Sequence, residues 1–446
     1  MKLSKYFKFV KLDNNIIAIF NTLLMEVIYV TEDEYEKIIN FQVNEEDRVI
    51  LQNAGIYVNT YTTDLRALQK IKDRYNNVCG NISIMYLILS SACNLACKYC
   101  FIENCRSNNK KEFNMSIETI TSAITKYANY LNESNLEEGT IIFYGGEPLV
   151  NWEGLVYAIK LANKLSSKIK FTMVTNATLL DEKKIEFLSK NNVEIGISID
   201  GPKQLNDKNR IYRAKEDSVY DEIMKKIPLL KAKQVKFGLS ITVTKDFLNI
   251  QDDVLKWLKD LNVNSVFYNL YHFSNYSNEW ENYYKEASEF LLKSFDVLSK
   301  QNIYDGRLNR KLDSIVSNQF KFADCAAIGG NQLTIKPNGD VCVCHAYFKT
   351  DKYIIGNINK DNIIDMISST EFNFWKKRNT LNNRKCLNCE ALFCCGGGCA
   401  LQAESLFDDR NKIDKPFCIH TKTSLKWVLQ KCYDKTIKEN KKEVNL

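Results

Sequence analysis

Ile84-Met-Tyr-Leu-Ile-Leu-Ser90 and, after two residues, Cys93-Asn-Leu-Ala-Cys97-Lys-Tyr-Cys100 decide how this chain is read. The first stretch is a continuous apolar run of strand length. The second sets three cysteines at C-x3-C-x2-C on the loop that follows. Three thiolates on one tight loop can hold three irons of a cubane [4Fe–4S] cluster, leaving the fourth iron open to a small molecule. The competing readings of this loop alone are a zinc knuckle, because C-x2-C fragments recur in zinc sites, and a set of buried thiols.

Outward from this stretch, apolar strands recur at Ile84–Ser90, Thr140–Tyr144, Ile169–Thr175, Glu194–Asp200, Lys236–Val243 and Asn264–Leu270. Amphipathic helical stretches follow them at about 116–132, 153–165, 181–190, 219–232, 250–260 and 279–299, with Ile117, Ile120, Ile124 and Tyr127 marking the spacing in the first. Six strand–helix units in succession imply a parallel sheet. Six units, where a full barrel has eight, predict an α/β fold built on a partial, splayed (β/α)6 TIM-type barrel. Chemistry then belongs at the C-terminal ends of the strands. The cysteines follow strand one, Gly145-Gly-Glu-Pro148 strand two, Thr175-Asn176 ends strand three, and Ser198-Ile-Asp-Gly-Pro202 ends strand four.

On that rim, Gly145 and Gly146 let backbone approach a ligand closely, with amides and carbonyls free to bond it. Glu147 adds acceptor character suited to an amino group. The loop lacks the lysine and Ser/Thr of a phosphate loop. Ser198, Arg210 and Arg213 can meet a carboxylate, the arginines through their planar fork, or the arginines can stand as surface charge. Tyr99 can stack on a planar base or cover the metal.

The cysteine triad, Tyr144-Gly-Gly-Glu-Pro148, the Thr-Asn strand end and Ser-Ile-Asp-Gly-Pro together resemble the radical S-adenosylmethionine (SAM) superfamily, over about residues 84–245. The resemblance implies that the open iron of the Cys93/Cys97/Cys100 cluster chelates the methionyl amino and carboxylate groups. It implies that one electron then cleaves the sulfonium to methionine and a hydrogen-abstracting 5′-deoxyadenosyl radical. It puts Gly145, Gly146 and Glu147 near the amino group and Ser198 near the carboxylate or ribose, and Tyr99 and Arg210 are taken with them as cofactor-binding.

Beyond about Arg310 the alternation stops and cysteines return: Cys325, Gly339-Asp-Val-Cys-Val-Cys344, Cys386-x2-Cys389, Cys395, Cys399 and Cys418. So many thiols in one segment point to metal, with two zinc sites as the competing account. The spacing, with Cys344-His345 and Ile355-Gly-Asn-Ile358, resembles the SPASM extension of peptide-modifying radical enzymes. That resemblance implies two auxiliary [4Fe–4S] clusters, three clusters in all. The first would take Cys325, Cys344 and Cys399, and the second Cys386, Cys389, Cys395 and Cys418. Gln319 stands where some members carry a further cysteine, so the fourth ligand of the first cluster is left between Cys342, Cys394, a substrate thiolate and an open position. Cys79, Cys105 and Cys432 are also unassigned.

Residues 1–80 read as a winged-helix-like, peptide-recognising N-terminal module, or else as a cap over the following domain. Strand candidates Tyr6–Leu12 and Ile16–Phe20 flank Asp13-Asn14-Asn15, Leu23–Val30 is a third, and Thr31-Glu-Asp-Glu34 is a capping box. A second helix stops at Gly55, before Ile56-Tyr-Val58, and 64–77 is a charged helical linker. Residues 81–305 are then the radical SAM barrel, and 306–446 a C-terminal cysteine-rich iron–sulfur domain.

The 446 residues are 45% hydrophobic and 26% charged, ordinary globular composition with no run of about 18 apolar residues. The amino-terminal stretch lacks a signal peptide, so a cytoplasmic location is expected, and fifteen cysteines there point to metal in place of disulfides. Only His272, His345 and His420 occur, which argues against a histidine-centred metal site or hydrolase. The net charge of +7 is dispersed, and Asn109-Lys-Lys111 and Lys438–Lys442 read as solvated surface, so neither nucleic acid nor membrane is an expected partner. The expected function is maturation of a ribosomal precursor peptide bearing a leader, through a Cys thioether crosslink, with an electron donor such as flavodoxin or ferredoxin. The alternatives are an anaerobic sulfatase-maturing (formylglycine-generating) enzyme and, in another class, an iron–sulfur electron carrier or zinc-binding interaction protein. No general base is identifiable in the sequence.

Overall fold

The computed structural model describes residues 1–104, 113–134, 136–273 and 279–443. Cys105 and Asn109–Lys111 lie outside the described residues, as do the side chains of Lys438–Lys442. The amino-terminal strands are Lys2–Leu3 (β1), Phe7–Lys11 (β2), Ile16–Asn21 (β3), Val27–Thr31 (β4) and Tyr57–Val58 (β5). β2, β3 and β4 form an antiparallel sheet in that order, and β1 pairs with β5. Asn14 and Asn15 turn the β2–β3 hairpin, both at positive φ, as a type I′ loop requires. The Thr31–Glu34 capping box opens the Glu32–Ile39 helix. The third strand starts later than Leu23, because the Leu24 and Met25 amides turn back onto the Asn21 carbonyl.

This amino-terminal part is seated on the far end of the chain. Tyr6, Leu12, Phe20 and Met25 share one apolar core with Phe320, Leu392, Phe393, Leu425 and Leu429. Phe20 and Phe393 meet edge to face at 5.7 Å, and the Tyr29 hydroxyl donates to the Leu429 carbonyl at 3.1 Å. The cap reading therefore needs correcting: residues 1–80 cover the C-terminal region, not the domain that follows them.

Ile84–Ser90 (β6), Gly139–Gly145 (β7), Ile169–Thr175 (β8), Glu194–Ser198 (β9), Phe237–Val243 (β10) and Ser265–Leu270 (β11) run parallel, each adjacent to the next in the sheet. The helices Ile117–Glu133, Trp152–Leu165, Glu182–Lys190, Val219–Ala232, Gln251–Leu261 and Glu279–Leu298 fall where the apolar periodicity puts them. β7 to β11 alternate in burial, whereas β6 is buried continuously from Leu87 to Ser90. Ile141, Phe143, Met173, Ile197 and Ile241 are fully buried in the main core, whereas Tyr144, Thr172, Ser198, Ser240, Thr242 and Asn269 are half-buried. With successive side chains on opposite faces, the half-buried set lines the concave side.

Two additions were not anticipated. Tyr304–Asp305 (β12) extends the sheet in parallel beyond β11. On the other edge Gln332–Ile335 (β13) joins β6 in parallel, and Asp340–Cys342 (β14) and Ile354–Asn357 (β15) follow antiparallel. The cysteine-rich region thus shares one ten-stranded sheet with the barrel. Among the described residues, no helix is long and apolar enough to cross a membrane.

Candidate active site

The triad loop is gripped by main chain on both sides. From β7, the Gly146 amide donates to the Ser90 carbonyl (2.9 Å) and the Glu147 amide to Ala92 (2.8 Å). On the other side the Lys98 amide bonds the Asn209 carbonyl (3.0 Å), Ala96 bonds Ile211 (2.8 Å) and Arg213 bonds Asn94 (3.1 Å). Leu95 and Ile102 anchor the loop in apolar cores. A Cβ at Gly145 or Gly146 would lie 2.2 Å from the Ser90 or Ala92 carbonyl oxygen. The expectation of free amides at the Gly-Gly turn is corrected here. The glycines are needed for close contact with the triad loop, and the Gly146 and Glu147 amides are committed to it.

Glu147 turns inward, 1% exposed. It accepts from the Thr175 hydroxyl (2.6 Å) and the Asn176 (2.8 Å) and Leu149 (3.1 Å) amides. Burial pushes its carboxyl up to about 7 against those three bonds. Asn176 in turn donates to Asn94 Oδ1 (2.9 Å) and points Nδ2 at Cys93 Sγ (3.9 Å). Strand ends one, two and three are thereby interlocked at the first cysteine. Burial pushes the Cys93 and Cys97 thiols up to about 12 and 11, so they are neutral until a metal takes them as thiolates.

Arg210 does meet a carboxylate, but one of its own chain. Its Nε and Nη2 each lie 3.1 Å from Asp200, which is 0% exposed and also accepts from the Thr242 amide (3.2 Å). The Tyr99 hydroxyl donates to the same carboxylate, and the Arg210 guanidinium lies 5.4 Å from the Tyr99 ring centre. The Arg210 fork is thus filled from its own chain, which corrects its reading as a ligand clamp, and Asp200 also ties the Tyr99 hydroxyl in place beside Cys97. Arg213 Nε donates to the Cys93 carbonyl (2.9 Å). Ser198 is half-buried at the end of β9, in register with Ser240 of β10, and its hydroxyl has no protein partner among the described residues. Ser240 accepts from Asn269 of β11 at 2.9 Å. This polar row across three strand ends was invisible as a motif, because each residue is ordinary by itself.

Between the triad and the C-terminal cysteines lies an aromatic wall. The His345 ring stacks on Tyr86 (4.4 Å, 13°) and meets Tyr144 edge-on at 5.1 Å; His272, just past β11, faces Phe101 at 5.7 Å. Nδ1 of both histidines is buried without a partner among the described residues, and burial lowers both rings to about 4. His272 and His345 thus lie near each other as neutral imidazoles.

Seven of the remaining cysteines form two groups. Cys344 feels the charges of Cys325 and Cys399; Cys418 feels those of Cys395, Cys386 and Cys389. Cys386, Cys395 and Cys418 line a cavity of about 140 Å³. Among the described residues no three His, Cys, Asp or Glu side chains are spaced to hold one ion. Thiols grouped around a space suit a cubane, which takes one thiolate per iron, better than a zinc ion that needs four ligands at one point. Cys342 is fully buried with its thiol toward the Cys344 carbonyl (3.4 Å). Cys394 is packed in the core shared with the amino-terminal part, its thiol toward Ala391, which corrects the idea that it could swing toward Cys344. Gln319 is exposed. Cys79 bonds Tyr75 and Gly329, and Cys432 lines a groove beside β4.

The family model of the radical SAM superfamily matches residues 87–244, and that of the SPASM iron–sulfur cluster-binding domain matches 325–390. The radical SAM cyclopropyl synthase TigE of Paramaledivibacter caminithermalis is 26% identical over 435 residues, 92% of this chain and 87% of TigE. The cysteine-type anaerobic sulfatase-maturating enzyme of Clostridium novyi is 28% identical over 353 residues, 76% of this chain and 92% of its own. Two solved structures share the fold. Native anSMEcpe with bound AdoMet has a TM-score of 0.67 at 24% identity, covering 79% of this chain and 98% of its own. Streptococcus suis SuiB bound to precursor peptide SuiA has a TM-score of 0.55 at 16% identity, covering 94% and 99%.

Proposed function

We propose that this radical SAM enzyme, with its C-terminal SPASM domain, is a maturase of a leader-bearing precursor peptide, and that it closes a thioether from a peptide cysteine. The observation that carries the peptide reading is a groove of about 530 Å³ along β4, the edge strand of the amino-terminal sheet. Met25, Val27, Ile28 and Tyr29 form one wall with Glu26, and Ile50, Ala54 and Ile315 line the rest together with Asn53, Asn318 and Cys432. Val49, Ile50 and Val316 are exposed near it at 47%, 51% and 74%. An open strand edge beside apolar pockets takes an extended peptide as an added strand, main-chain bonds giving affinity and alternate side chains giving choice. A relative named as a cyclopropyl synthase that aligns over 92% of the chain supports an activity using the whole molecule.

Iron–sulfur clusters held by Cys93, Cys97 and Cys100 and by the two C-terminal cysteine groups would, together with S-adenosylmethionine, supply a hydrogen-abstracting radical and an electron acceptor. The chain's own residues do the rest. Gly145, Gly146 and Glu147 fix the triad loop at the strand ends. Ser198 offers a hydroxyl to the cofactor's carboxylate or ribose, with Ser240 and Asn269 continuing the polar surface. Tyr86, Tyr144 and His345 wall the chamber and exclude water from the reacting carbon.

Sulfatase maturation is the second reading, favoured by the Clostridium novyi relative, 92% of which is spanned. Deleting residues 1–80 would not separate the two, since it would strip the core shared with Phe393 and Leu429. The separating variant is Ile50→Glu with Val316→Glu, at exposed positions. Under the peptide reading it weakens binding and modification of a leader-bearing peptide while leaving cofactor cleavage at the wild-type rate. Unchanged modification, with leaderless sulfatase peptides accepted equally, overturns the reading.

A further inference from the structure

Lys311 is 2% exposed, on the Asn309–Val316 helix. Its ammonium forms no salt bridge among the described residues. It donates to the Thr421 hydroxyl at 3.1 Å and lies 4.7 Å from the centre of the Phe417 ring. The adjacent carboxylate, Asp324, is paired with Lys321 at 3.0 Å, and Arg307 and Arg310 also act on it. Lys311, Lys321, Arg307 and Arg310 all act on Asp324, and Arg307 and Arg310 act on the buried Asp305 as well, so Lys311 is the cation left without a carboxylate of its own. An ammonium buried without a salt bridge is costly, and burial lowers Lys311 to about 8.

The anion is indicated by where the partners of Lys311 stand. Phe417 and Thr421 flank Cys418 on the long helix Lys415–Glu443, one residue before it and about one turn after it. Phe417 also lines the cavity shared by Cys386, Cys395 and Cys418. Lys311 therefore packs against the two residues on either side of one of the four thiols, and its charge acts on Cys394 and Cys395. A buried positive charge beside ligand sulfurs is one of the levers that set an iron–sulfur potential, and outer contacts of this kind orient and tune the ligands themselves.

We propose that Lys311, held in place by Thr421, raises the reduction potential of the centre held by Cys386, Cys389, Cys395 and Cys418, so that this centre accepts an electron readily. The proposal rests on the reading of those four cysteines as cluster ligands. It also gives the buried Lys311 a reason to exist, because a thiolate-ligated cluster would supply the negative charge that no salt bridge among the described residues gives it.

The test uses full-length protein, anaerobically reconstituted with iron and sulfide, reduced stepwise by dithionite and followed by electron paramagnetic resonance. Cys389→Ala identifies the signal of this centre by its loss. Lys311→Met should move that signal's midpoint to more negative potential by at least a tenfold change in the one-electron equilibrium, about 59 mV. Lys311→Arg should keep it near wild type, and Thr421→Val, which keeps the volume and removes the hydroxyl, should shift it the same way by less. Wild-type midpoints in both Lys311→Met and Thr421→Val, with iron content unchanged, overturn the proposal and leave the cluster reading standing. If Cys389→Ala loses neither iron nor signal, the cluster reading itself falls and the proposal with it. Because Thr421→Val is a mild change, the result does not depend on Lys311→Met folding.

Discussion

The triad loop and the C-terminal cysteine region both gather thiols, by opposite means. Cys93, Cys97 and Cys100 come from one loop of eight residues held by main-chain bonds from neighbouring strand ends. Cys325, Cys344 and Cys399, and the four thiols around Cys395, are drawn from turns and helices spread between residues 325 and 418. The first site is shaped by backbone geometry, so glycines matter most there. The second is shaped by buried side chains and charges. A site built from local backbone can be recognised by spacing, whereas one built from distant side chains is completed only by packing.

The sharpest way to break this comparison is to remove one thiol from each region. Cys97→Ala should reduce 5′-deoxyadenosine formation to background, measured by mass spectrometry of dithionite-reduced enzyme. Cys389→Ala should leave cofactor cleavage measurable and lose modified peptide; equal loss of cleavage in both would make the two regions one functional unit. Next in size is the buried ion pair behind the triad. Asp200→Asn leaves Arg210 without its counter-charge and releases Tyr99, so denaturant unfolding should show a loss of about 3–5 kcal/mol. An unchanged midpoint would mean that the loop needs no support from this side. The smallest effect is expected at the glycines. Gly146→Ala forces a Cβ against the Ala92 carbonyl, costing about 1–3 kcal/mol and lowering the iron retained by the triad. Full iron retention in that variant would show that the loop can shift without losing its geometry.

The six strand–helix units were legible because their signal is local: apolar alternation in strands, 3.6-residue spacing in helices, and a capping box at Thr31. The ends of β6, β7, β8 and β9 were legible as a rim for the same reason. What the motifs did there was not. Gly145 and Gly146 looked like a ligand cradle, and the structure has them pressed against Ser90 and Ala92. Arg210 looked like a clamp for a ligand, yet Asp200, ten residues earlier, already occupies its fork. The sequence argued only against a histidine-centred metal site, and the packing of His272 on Phe101 and of His345 on Tyr86 had no signal in it.

The sequence by itself determined the order of strands and helices, the rim on which chemistry belongs, and the clustering of cysteines at both ends of the barrel. These follow from contacts between residues a few positions apart. Only the tertiary structure decided that residues 1–80 sit on the C-terminal region, that β13 adds to β6, and that Lys311 is buried against Phe417 and Thr421 on either side of Cys418. Those contacts join positions up to about four hundred residues apart, and no periodicity records which buried surface or charge will meet which.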